Sequence, residues 1–99
     1  MFNNETNNHR KATHKYIEIL IDRGDSASKQ QAINLTVTHF GIDLGHKGKF
    51  NYPTYDPTLD SDGQINNGIL IGDGAFRSVG FLASTIYHEM QHIRMGSVT

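Results

Sequence analysis

The chain has 99 residues, a length suited to one small domain, residues 1–99, that buries about 60–70% of its unfolded surface. Hydrophobic residues make up 36% and charged residues 19%, a lean core but too apolar a chain for intrinsic disorder. Cysteine is absent, which excludes a disulfide framework and any thiolate metal site. A net charge of −1 with no strong basic face argues against a nucleic-acid partner.

No apolar run approaches the roughly 18 residues of a membrane span, so no membrane contact is expected. The polar opening Met1–Asn8 does not read as a signal peptide. The first helix is expected to start near Thr6–Asn8 and to end before Gly24. Ala12, Tyr16 and Leu20, with Ile17 and Ile21, recur there at helical spacing. A second helix follows, with Ser28-Lys29-Gln30-Gln31 as a capping box, Ile33, Val37 and Phe40 as its stripe and Gly41 as its stop.

From Gly41 to Gly68 the chain concentrates its breakers, Gly45, Gly48, Pro53, Pro57 and Gly63 among them. This predicts a long connection with one short strand around Ile42–Leu44. Ile69-Leu70-Ile71, bounded by Gly68 and Gly72, reads as a short strand, buried or at an edge. A last helix is expected from Ser78 to Met95, with Gly96 as its stop. The expected fold class is α+β, a mostly helical small domain with a short edge strand preceding the last helix.

That helix carries His88-Glu89-Met90-Gln91-His92, a HExxH pattern. Two histidines four apart project from one helix face, close enough to share one metal ion. Neutral imidazole suits Zn2+, and the intervening glutamate stands where it can take a proton from an activated water. Glu89 is therefore the expected general base, and His88 and His92 the expected metal ligands. Leu82, Ile86, Met90 and Ile93 fall on one arc of the helix, while His88 and His92 fall on another with Phe81 and Thr85. The plainer alternative is two solvent-exposed histidines on an amphipathic helix.

A strand, a short link and a HExxH helix resemble the zincin metallopeptidases, especially their minimal members. Tyr55-Asp56-Pro57-Thr58, Ile71-Gly72-Asp73-Gly74-Ala75-Phe76 and Leu82–Glu89 are similar to a narrower group. These are the metallopeptidase domains at the tips of bacterial Rhs-type and related polymorphic toxins, and the resemblance spans about residues 50–95. It implies a zinc peptidase hydrolysing a peptide or protein substrate, and Ile69–Ile71 as the edge strand on which an extended substrate is laid. It also implies delivery as part of a larger bacterial protein, with an immunity or inhibitor protein as a further partner.

A catalytic zinc site takes three protein ligands and an open position. Nothing in Ile93–Thr99 is a good third ligand, and the longer pattern HExxHxxGxxH fails at Met95 and Val98. The expectation is a chain truncated after its active-site helix, with a ligand beyond Thr99. The alternatives are a second copy or an upstream donor among His39, Asp43, His46 and Asp73, of which His46 is the best.

Other patterns read as ordinary structure. Gly72-Asp73-Gly74 lacks the third glycine of a dinucleotide fingerprint and reads as a turn. Thr58–Gly63 lacks the closing glutamate of a calcium loop. His9, Arg10, Lys11, His14 and Lys15 read as a solvated face, with a phosphate contact as the alternative. Tyr52 and Tyr55 read as turn-packing aromatics, with oxyanion stabilisation as the alternative. Two other functions stand beside the peptidase: a non-catalytic fragment or interaction module without a complete metal site, and, more weakly, a toxin nuclease using His88 or His92.

Overall fold

A computed structural model of the chain describes residues 2–44, 52–65 and 68–96. In chain order these form α1 (Phe2–Arg23), α2 (Ser26–Phe40), β1 (Thr54–Tyr55), β2 (Gly63–Ile65), β3 (Gly68–Ile71), a single 3-10 turn (Asp73–Ala75) and α3 (Val79–Gly96). The fold is α+β and mostly helical, as expected. The helix α1 starts at Phe2, earlier than Thr6–Asn8, since neither glycine nor proline interrupts the polar lead.

A tight link at Gly24 and Asp25 folds α2 back against α1. The cap of α2 is Asp25, not the box at Ser28. The Asp25 carboxylate accepts from the Ser28 amide at 3.0 Å and from the Ser28 hydroxyl at 2.8 Å. These two bonds hold the Asp25 carboxyl below its ordinary value. At its other end α2 stops on Gly41, whose φ of 62° is the left-handed geometry that glycine adopts without strain. Ile42 donates its amide to the Val37 carbonyl at 2.9 Å in that cap, so Ile42–Leu44 forms no strand. Phe40, placed in the α2 stripe by spacing, stands 45% exposed.

The sheet order is β1-β3-β2. Strand β3 pairs in parallel with β1 (Thr54 opposite Leu70) and antiparallel with β2 (Gly63 opposite Leu70). Ile69–Ile71 is thus the central strand, which corrects its reading as an edge. Both of its sides are already hydrogen-bonded, so it has no free side on which to lay a substrate. The outer side of β1 is met by the Gln30 side chain, which accepts from the Tyr55 amide at 2.8 Å and donates to the Pro53 carbonyl at 3.1 Å.

One core joins the layers. Ile17 and Leu20 of α1, Ile33 and Val37 of α2, Ile69 and Ile71 of β3, and Val79, Leu82, Ile86 and Met90 of α3 are buried together. Between strand and helix, residues 59–61 cross over residues 72–74. Asp73 and Gly74 donate their amides to the Leu59 and Asp60 carbonyls at 3.1 and 2.7 Å. A Cβ on Gly72 would lie 2.5 Å from the Ser61 carbonyl oxygen and 2.8 Å from that of Leu59. These glycines are there for close backbone approach.

Two expectations follow for urea unfolding. Ile86→Ala, at a fully buried centre of α3, should cost about 2–4 kcal/mol through the cavity it leaves. Gly72→Ala should cost about 1–3 kcal/mol by forcing two backbone segments apart. Gly80→Ala is the control: a Cβ there meets nothing within 4 Å, so no loss is expected. A Gly72→Ala protein as stable as its parent would remove the close-crossing account.

Candidate metal centre

The helix α3 begins where the Ser78 hydroxyl accepts from the Phe81 amide at 3.1 Å, one residue from its expected start. Its inward face is apolar: Val79, Leu82, Ile86 and Met90 are each 2% exposed or less. This burial fixes the rotation of the helix, and rotation fixes the site. His88 and His92 emerge on the solvent side. Their Nε2 atoms face each other at 3.0 Å, with ring centroids 4.5 Å apart and planes at 88°.

Without a metal, one Nε2 carries the hydrogen and the other offers a lone pair. Two imidazoles bonded to a single zinc at about 2.0–2.1 Å and a tetrahedral angle have nitrogens about 3.3 Å apart. The observed separation is a few tenths of an ångström shorter than that, so the two nitrogens are within reach of one ion once the rings turn from each other toward it. Glu89, between them in sequence, is 8% exposed. It sits on the flank of the inward face, a feature the motif alone does not give.

Of the upstream third-ligand candidates, His39, Asp43 and Asp73 form no metal-holding group with the histidine pair. The His39 ring packs edge-on against His14 at 6.1 Å and Phe40 at 5.0 Å. Asp73 Oδ1 takes the Lys29 ammonium at 2.6 Å and the Tyr55 hydroxyl at 2.5 Å. Asp43 lies exposed after the α2 cap. His46 falls outside the described residues, as do residues 97–99. Among the described residues no group of three or more histidines, aspartates or glutamates could hold a metal ion.

The Lys29–Asp73–Tyr55 cluster went unnoticed in the sequence because its members are separated by up to 44 positions. The Lys29 ammonium holds the Asp73 carboxyl below its ordinary value, with the Tyr55 hydroxyl adding to the effect. Asp73 in turn raises Lys29 and Tyr55, so both keep their protons. The ammonium lies 5.1 Å from the Tyr55 ring centre and 5.5 Å from that of Phe76. Tyr55 is thus a packing and clamping residue, as is Tyr52, whose hydroxyl reaches the Asn34 carbonyl at 3.5 Å. The basic stretch of α1 is solvated, with His14 and Lys15 both near Glu18 at 3.5 and 3.9 Å.

No protein-family model, curated protein or solved structure matches this chain.

His88→Ala and His92→Ala should change stability by no more than about 0.5 kcal/mol, because both side chains are exposed. Losses equal to that of Ile86→Ala would place the rings in the core. His39 should behave differently. Burial first, then the positive neighbours His14, Arg10 and His9, hold its imidazole below the ordinary 6.5. Folding therefore favours the neutral form. Its stabilising contribution is complete above about pH 6.5 and is lost as pH falls through the lowered folded-state value. His39→Gln should flatten stability against pH on that acidic limb; an unchanged slope would assign the acid sensitivity to other groups.

Proposed function

We propose that this chain is the metal-holding part of a zinc-dependent peptidase, with His88 and His92 as ligands and Glu89 as general base. One observation carries the proposal: two imidazoles converge to 3.0 Å on the exposed face of a rigidly packed helix. Zinc held there supplies Lewis acidity that polarises a scissile carbonyl and acidifies a water. Glu89 accepts the proton that the attacking water gives up and returns it to the departing amine. His88 and His92, neutral at the nitrogens that bind, orient the ion and take no part in the proton traffic. A catalytic ion would need a third protein donor, which the described residues do not supply on this face.

A peptide or protein substrate, an immunity-type inhibitor as partner and delivery within a larger bacterial toxin rest on the resemblance of residues 50–95. The second reading is a zinc-binding interaction module that performs no hydrolysis. It is favoured by the donor count among the described residues, which stops at two on this face.

Elemental analysis and peptide hydrolysis separate the two. Zinc uptake should depend on both His88 and His92. In a protein whose third donor is present, Glu89→Gln should retain zinc and slow hydrolysis about 10²–10⁴-fold, the worth of a positioned general base. Zinc lost together with activity would make Glu89 a ligand. Zinc retained with no hydrolysis in the parent protein would establish the interaction module.

A further inference from the structure

We propose that the outward face of α3 docks a second copy of this chain around one shared zinc ion, His88 and His92 of each copy supplying four donors. The inference rests on the reading that this pair holds zinc, and assigns the site its partner and its resting state.

The donor count is the first argument. Zinc in a closed site takes four ligands, and this face supplies two. A two-fold axis through the ion turns two into four, because an isologous contact sets each pair against its own copy.

The second argument is the charge of the face. From Val79 to His92 the sole formally charged residue is Glu89, and it is buried. What α3 exposes over that stretch is Gly80, Phe81, Ser84, Tyr87, Gln91 and the two histidines. A surface helix ordinarily carries charge on its outer side. The outer side of α1 does so, with Arg10, Lys11, Lys15, Glu18, Asp22 and Arg23 exposed. The Arg77 guanidinium lies 5.1 Å from the Phe81 ring at the N-terminal edge of this face, while the helix surface itself from Gly80 to His92 exposes no formal charge to repel its own copy. Phe81 and Tyr87, 44% and 54% exposed, add aromatic surface of the kind enriched at such contacts. Ser84 lies between these rings in sequence and leaves room for the opposing helix.

Four imidazoles fill every position on the ion. The dimer is therefore the closed form of the site, since catalysis requires one position open. Separation of the copies, by dilution or by a competing donor, restores the two-ligand state.

Sedimentation velocity and native mass spectrometry during a zinc titration test the proposal. The expected result is a doubled mass that saturates near one zinc per two chains, as four shared donors require, and reverts with chelator. His88→Ala and His92→Ala should stay monomeric with an unchanged helical circular dichroism spectrum. Ser84→Arg places a charge on the face without touching a donor, and should weaken the dimer and, because the four donors are shared, zinc uptake along with it. Monomers carrying one zinc each would overturn the shared site and leave the pair as a metal centre. Absence of any zinc uptake would overturn both. A dimer persisting in His88→Ala would mean that the face associates without a metal bridge, and the proposal would fall.

Discussion

The site depends on how one helix is rolled. Val79, Leu82, Ile86 and Met90 lock α3 against the α1–α2 hairpin and the central strand, each losing nearly all of its exposure. Successive helical residues are about 100° apart, so a roll of one residue would exchange a core position for a histidine. Burying unbonded imidazole in place of Ile86 would lose apolar burial and add a desolvation cost, each on the order of a few kcal/mol. The apolar stripe thus aims the histidines outward, although it touches no metal. Glu89 lies where the two faces meet, and its burial follows from the same roll.

The strands that receive α3 are too short to hold themselves. Strand β1 has two residues and β2 three, well below what an isolated ribbon needs. Polar clamps from α2 supply part of the deficit. Gln30 satisfies one acceptor and one donor of the β1 backbone as a neighbouring strand would. Next to it in sequence, the Lys29 side chain, 15% exposed, joins the 3-10 turn to β1 through Asp73 and Tyr55. The bond is short and charge-assisted, with the ammonium flanked by two aromatic rings and the carboxylate 47% exposed to solvent. Helix, strand and turn are consequently fixed to one another before the chain enters α3.

What could be read from the sequence follows the range of the interactions. The hairpin and α3 were legible because their signals are local: apolar residues at helical spacing, with Gly24 and Gly41 as stops. The histidine pair was legible for the same reason, since four positions on a helix fix a face. The central placement of Ile69–Ile71 was not. It depends on Thr54–Tyr55 and Gly63–Ile65, segments too short to display an alternating pattern, arriving on either side. The true cap of α2 was hidden by competition. Asp25 offers two carboxylate oxygens just before Ser28, and Ser28 is consumed as their donor. Likewise Gly72 and Gly74 read as turn residues, whereas the crossing of residues 59–61 over them is what forbids a side chain.

A HExxH helix fixes less chemistry than its pattern implies, because the number and origin of the remaining donors decide what a bound ion can do. A zinc ion held by the two imidazoles, now 3.0 Å apart, would have two of its four positions still to be filled. One more protein donor leaves a position for water and makes Glu89 useful as a base. Two more, from any source, leave none, and the same carboxylate is then a buried neighbour of a structural ion. The fold is compatible with either outcome, since the inward face of α3 stays buried in both and only the outward face changes partner. On the proposed reading, one coordination position would separate an enzyme from an adhesive surface, on a helix that exposes no formal charge of its own between Val79 and His92.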